Sequence, residues 1–213
     1  MKLLWIPILS ALLLSGCSAF NGEQNRPLAS QVVGPDGFTQ TQRYQIMAWL
    51  IKSHENYTED IYECKGGKPT VGWGFNCEAT GIWDVDDIRD ADDKFKTLLD
   101  EAYKNVDKQF PNLTYLQKAV VVSMVYNAGL GGISNSKLAD KLKDGDMRGA
   151  VKQMRRWIHV KNKRTGRYEV SKGLVNRREL EIRLLTGKFT MDDYNRLKSI
   201  VSKIYAQNGK DRS

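Results

Sequence analysis

The chain has 213 residues, 41% of them hydrophobic, and a formal charge of +8, enough for one sizeable core or two small lobes and no more. A positive balance of this size attracts polyanions, which admits nucleic acid, anionic lipid and an anionic cell wall as partners. Nucleic acid is set aside, because the chain has no zinc-finger spacing, no aromatic RNA-binding signature and no DNA-reading motif.

In chain order, Met1-Lys2 leads into an apolar run from Leu3 to Leu14 that is too short to span a bilayer comfortably and has the form of an export signal. The run closes in Leu14-Ser15-Gly16-Cys17, which is similar to a bacterial lipobox. That similarity implies cleavage before Cys17 and lipidation of its thiol, with Ser18 directing the product to the outer membrane. Residues 1–16 are thus expected to be a signal peptide. Residues 17–40, which hold Gly22, Pro27, Gly34, Pro35 and Gly37, are expected to be a flexible tether.

Thr41 to Ser53 carries Met47, Leu50 and Ile51 at i, i+3 and i+4, so a helix is predicted that delivers Glu55 just past its C-terminal end. Ile61-Tyr62 and Thr70-Val71-Gly72-Trp73 favour strand, and Lys65-Gly66-Gly67-Lys68-Pro69 between them is turn chemistry. A hairpin follows, with Cys64 and Thr70 on opposite arms. Asp86 to Asn105 reads as an amphipathic helix, with Ile88, Phe95, Leu98, Leu99 and Ala102 on one broad face that continues to Val106. Thr114 and Gln117 form a capping box, and Ala119 to Tyr126 is apolar nearly all round, which predicts a buried central helix ending at Asn127-Ala128-Gly129. Asp146 is expected to cap a helix carrying Val151, Met154 and Ile158, with Trp157 at its edge. Lys161 to Arg167 reads as an exposed basic loop. Thr190 opens a last helix with Tyr194, Leu197, Val201 and Ile204 at helical spacing, and Gln207 to Ser213 is expected to fray.

A carboxylic acid, a thiol and a hydroxyl around one turn suit hydrolysis: the acid protonates a leaving group while the other two steer a water. Glu55 is the acid candidate, and Cys64 and Thr70 are the water-positioning pair. A thiol normally titrates near 8.5, so Cys64 acts as a base only if a neighbouring cation or dipole favours its thiolate, and Lys65 and Lys68 are close in sequence. His54 and His159 lack metal-ligand spacing with cysteines or carboxylates, so neither a metal site nor a cofactor is expected.

At these residues the chain resembles the phage-type lysozymes, whose signature is Glu, eight residues, Asp or Cys, five residues, Thr, and then a Gly-x-Gly strand. Glu55, Cys64 and Thr70 keep both spacings, and Gly72-Trp73-Gly74 follows. Further likeness runs through Ser123 to Gly129, Lys141 to Asp146, Arg156-Trp157 and Gly173 to Arg178, so that residues 41–189 are expected to form the catalytic domain and 190–213 a terminal helix and tail. Phe75 stands where many relatives carry His, and Cys64 is the rarer choice at its position.

The resemblance implies an α+β, mostly α fold of two lobes, a small β-hairpin or meander lobe and a larger helical one. It also implies a monomer that cleaves the β-1,4 bond between N-acetylmuramic acid and N-acetylglucosamine in peptidoglycan, with Glu55, Cys64 and Thr70 catalytic. Asn127, Arg177 and Arg178 fall at substrate-binding positions, with either arginine able to lie beside the acid.

Two alternatives stand beside this reading. In the first, the N-terminal segment stays uncleaved as an inner-membrane anchor, as in signal-arrest-release endolysins, and the protein then escapes to the periplasm. In the second, the fold is a non-catalytic, membrane-anchored lipoprotein that binds the wall or inhibits a partner. Export would place Cys64 and Cys77 in an oxidising compartment, where a disulfide between them would remove the site thiol.

Overall fold

Thr39 starts the first helix with a reciprocal cap: its hydroxyl accepts from the Gln42 amide, and the Gln42 side chain accepts from the Thr39 amide. A computed structural model describes residues 32–209 apart from 56, 65, 66 and 163. The expected signal peptide and Cys17, most of the expected tether, and Lys65 lie outside the described residues.

Helix α1 (Gln40–Lys52) buries Ile46, Met47, Leu50 and Ile51. A three-stranded antiparallel meander follows, β1 (Thr58–Glu63), β2 (Pro69–Gly72) and β3 (Phe75–Asn76), with β2 in the middle. Pro69 opens its strand, where its missing N–H costs the ladder least. Tyr62 pairs with Thr70 and Thr70 with Asn76, which puts these three side chains on one face. A short helix α2 (Cys77–Thr80), capped by Asn76, leads to α3 (Ile88–Gln109), which starts at Asp87 and buries Ile88, Ala91, Phe95, Leu99 and Val106.

Helix α4 (Tyr115–Ala128) carries the Thr114–Gln117 capping box and packs against α1, α3 and the later α8, so that Ala119 to Met124 are buried all round. The chain continues through α5 (Leu130–Ser134), α6 (Lys137–Lys143) and α7 (Met147–Met154), the last capped by Asp146. Helix α7 closes at Met154, so Trp157 and Ile158, expected on or beside it, lie past its end. The expected basic loop is the tip of a two-stranded hairpin, β4 (His159–Lys161) and β5 (Tyr168–Val170). Helices α8 (Lys172–Leu185) and α9 (Met191–Asn208) complete the chain.

Two boundaries expected from the sequence move. Phe38 is buried, with its ring 5.9 Å from that of Phe189 and 6.1 Å from that of Tyr194, so the body begins before residue 41. Helix α9 packs along α1 and buries Tyr194, Leu197 and Val201, the first two in the common core. It is part of that body, and its helical turns continue through Asn208, past the expected start of fraying. Among the described residues no helix is long and apolar enough to cross a membrane.

Candidate active site

Helix α1 runs out in a way that fixes the acid. Ser53, His54 and Glu55 each donate an amide N–H to a carbonyl of the last turn, Glu55 to that of Ile51 at 3.2 Å. This sends the Glu55 side chain toward α8. There Arg177 Nη1 donates to Glu55 Oε1 at 2.7 Å, so of the two arginines it is Arg177 that faces the acid. Oε2 lies over Gly74, where an added Cβ would sit 2.9 Å from it, and the backbone of Gly74 has φ +82°. Only glycine satisfies both the left-handed conformation and the close approach.

Arg177 is itself held from three sides. Its Nη2 donates to the Ser123 carbonyl and hydroxyl, both at 3.1 Å, and its Nε donates to Glu181 Oε1 at 3.3 Å. Glu181 is fully buried and also accepts from Ser123 Oγ at 2.6 Å and from Arg178 Nη1. Arg178 donates onward to the Trp157 carbonyl and, at 2.8 Å, to Asn127 Oδ1. The two guanidiniums and Glu181 carry a net +1, which the ionised form of Glu55 would neutralise.

Both arginines are nearly inaccessible, at 2% and 1% exposure, against the direct glycan contact expected of them. They hold Glu55 and Asn127 in place, and of the three expected substrate-binding residues Asn127 is the exposed one. The sequence reading missed Glu181 and Ser123. The signal for Glu181 was present, an acid four residues after Arg177 and three after Arg178 on one helix.

Thr70 lies on the meander, and Cys64 follows its first strand. Burial, then the charges of Glu55 and Cys64, push the Tyr62 phenol up, which places Tyr62 within electrostatic reach of both groups. Thr70 shares the face of Tyr62 and is buried; its hydroxyl donates to the Lys68 carbonyl at 3.0 Å, leaving its lone pairs to accept from a water. Burial, then the charge of Glu55, also drives the Tyr126 phenol well above its usual range, offset by Arg177. Its hydroxyl donates to the Trp73 carbonyl at 2.7 Å and ties α4 to the turn that carries Gly74.

Cys64 and Cys77 are both thiols in this structure. Cys64 follows the end of β1 and Cys77 opens α2 just past β3, with β2 between those two strands, so their backbones stand about two interstrand spacings apart, roughly 9–10 Å. A disulfide tolerates less than about 7 Å between Cα atoms. The expected pairing therefore requires the meander to open. Burial raises the Cys77 thiol above its usual range, as suits a core residue beside Phe75.

Residues 52–181 match the phage lysozyme family. An endolysin of Acyrthosiphon pisum secondary endosymbiont phage 1 is 31% identical over 134 residues, 62% of this chain and 89% of that protein. A SAR-endolysin of Escherichia phage Mu is 39% identical over 70 residues, 33% of this chain and 37% of that protein. Among solved structures, the muramidase domain of SpmX from Asticaccaulis excentricus superposes with a TM-score of 0.57 at 24% identity, covering 66% of this chain and 95% of that one.

Proposed function

The chain belongs to the phage lysozyme family and is a lysozyme-type peptidoglycan hydrolase, and we propose that it cuts the β-1,4 bond between N-acetylmuramic acid and N-acetylglucosamine with Glu55 as its acid. The observation that carries this reading is the Glu55 carboxyl group itself. One oxygen is tied to Arg177, and the other lies over Gly74. The tied oxygen orients the group, and the second carries the proton.

That proton passes to the glycosidic oxygen as the bond to the anomeric carbon breaks, and a water adds to the carbon from the opposite face. Thr70 accepts from this water, and Cys64 stands beside it as a second polar contact or, as thiolate, as its base. Lysis of outer-membrane-permeabilised Gram-negative cells, followed by turbidity with Glu55→Gln as control, tests the assignment. Loss of lysis in the variant supports it, and equal lysis by the two proteins would remove Glu55 from the chemistry.

The same reading places the enzyme outside the inner membrane, anchored by lipid on Cys17. The Leu14-Ser15-Gly16-Cys17 sequence supports the lipid, and partial likeness to a SAR-endolysin supports export alone. Mass spectrometry of the mature N-terminus distinguishes a diacylglycerol-modified Cys17 from a chain that still begins at Met1.

A further inference from the structure

Behind the site lies a second polar cluster, which the chemistry above does not use. Lys52, on the last turn of α1, is buried, and its Nζ donates to Asp92 Oδ1 at 2.5 Å and to the Tyr205 hydroxyl at 2.9 Å. Tyr205 donates to Asp92 Oδ2 at 2.5 Å, and the Trp73 indole donates to Asp92 Oδ1 at 2.7 Å. The ammonium also lies over the rings of Trp73 and Phe95, 4.6 and 4.8 Å from their centroids. Burial lowers the Lys52 ammonium from its usual range, and its bond to Asp92 opposes that shift.

Four elements meet here: α1, the turn after β2, α3 and α9. A cluster of this kind is a costly way to hold helices together, since apolar side chains of the same volume do as well or better. What it adds is direction. It fixes the rotation of the Trp73 indole, and Trp73 is the residue whose carbonyl accepts from Tyr126 and whose successor, Gly74, backs onto the Glu55 carboxyl group.

We propose that Lys52, Asp92 and Tyr205 are positioning residues for the catalytic turn, through which α9 holds Trp73 and hence the backbone beneath Glu55. Tyr205 lies outside the 52–181 family match. The terminal helix of this chain thereby takes part in the reaction without touching substrate. The proposal rests on Glu55 being the acid, and the path from Tyr205 to Glu55 runs through three contacts: Tyr205 to Asp92, Asp92 to Trp73, and Gly74 against Glu55.

Tyr205→Phe keeps the ring and its packing and removes only the hydroxyl. In the full chain, assayed where circular dichroism shows both proteins folded, kcat should fall roughly tenfold and KM should stay within about twofold, as for a misplaced acid. In a Trp73→Phe background the same change should cost nothing further, because both act along one path. Asp92→Asn, which can still accept from Trp73 but not from Tyr205, should reproduce the loss if Tyr205→Phe folds poorly.

A readout without turnover separates this proposal from the assignment of the acid. In 5-fluorotryptophan-labelled protein the Trp73 fluorine resonance, identified by its absence in Trp73→Phe, should shift or broaden in Tyr205→Phe. An unmoved resonance, a parental kcat, or an equal further loss in the Trp73→Phe background would each overturn the proposal. Parental protein without hydrolytic activity would overturn the assigned function and leave the fluorine result standing.

Discussion

Arg177 binds two glutamates, and the difference between them separates a structural anion from the proposed acid. Glu181 is fully buried and accepts from Arg177, Arg178 and Ser123. Glu55 has a side chain 21% exposed and takes one bond from Arg177. A carboxylate saturated with donors and cut off from water is a structural anion, because a proton on it would displace bonds that nothing else can replace. A carboxyl group held by one oxygen and open at the other can gain and lose a proton without dismantling its surroundings. The same guanidinium therefore fixes the core through one acid and aims the other.

Replacing each acid by an uncharged side chain should separate these roles. Glu55→Gln should lower turnover of peptidoglycan by about 10²–10⁴-fold, the range for a lost general acid, while denaturant unfolding shows a stability change of about 1 kcal/mol or less. Glu181→Leu should do the reverse in kind, destabilising the fold by about 3–5 kcal/mol by leaving the buried Arg178 without its anion and Arg177 with Glu55 alone. If Glu181→Leu left the unfolding midpoint unchanged, the contrast between the two acids would be lost.

Next in size is the effect of acid on His54, which lies beside Glu55. Burial, joined by the charges of Arg177 and Arg178, holds the imidazole down at about 4, although its bond to the Leu50 carbonyl pulls the other way. The unfolded chain binds a proton there near the ordinary 6.5 and the folded chain does not, so stability is intact above about 6.5 and falls as pH drops toward 4. The decline should amount to roughly 3 kcal/mol across that window and should flatten in His54→Gln, as read from unfolding midpoints at several pH values. The smallest effect belongs to Gly74→Ala. It should cost about 1–2 kcal/mol in stability through its left-handed backbone and lower activity as well, because the new methyl meets Glu55 Oε2.

The elements that carry the candidate residues were legible because their signals are local. Glu55, Cys64 and Thr70 lie around one turn, Pro69 and the surrounding glycines announce that turn, and the Thr114–Gln117 capping box marks the start of the central helix. What the sequence hid depends on how elements meet. Arg177 and Arg178 are adjacent on α8 and differ by about 100° in direction, so only the packing of Ile182 and Leu185 against the core decides which of them meets Glu55.

Ile158 kept the apolar spacing of α7, yet that helix ends four residues earlier and the chain turns into β4. The β4–β5 hairpin was hidden because its strands are short and mostly exposed, leaving no alternation to read. Tyr205 and Asp92 are 113 residues apart, and no local pattern joins them. Where α9 docks was hidden for the same reason, since it packs along α1 through contacts that only the folded chain makes.

The central claim is that Glu55, oriented by Arg177, protonates the glycosidic oxygen of the wall polymer. Mass analysis of the fragments released from purified peptidoglycan by the reduced protein tests it most directly. Disaccharide-peptides with N-acetylmuramic acid at the reducing end, formed by the parental chain and not by Glu55→Gln, are the predicted result. Free stem peptides, fragments ending in N-acetylglucosamine, or the same yield from the variant would contradict it.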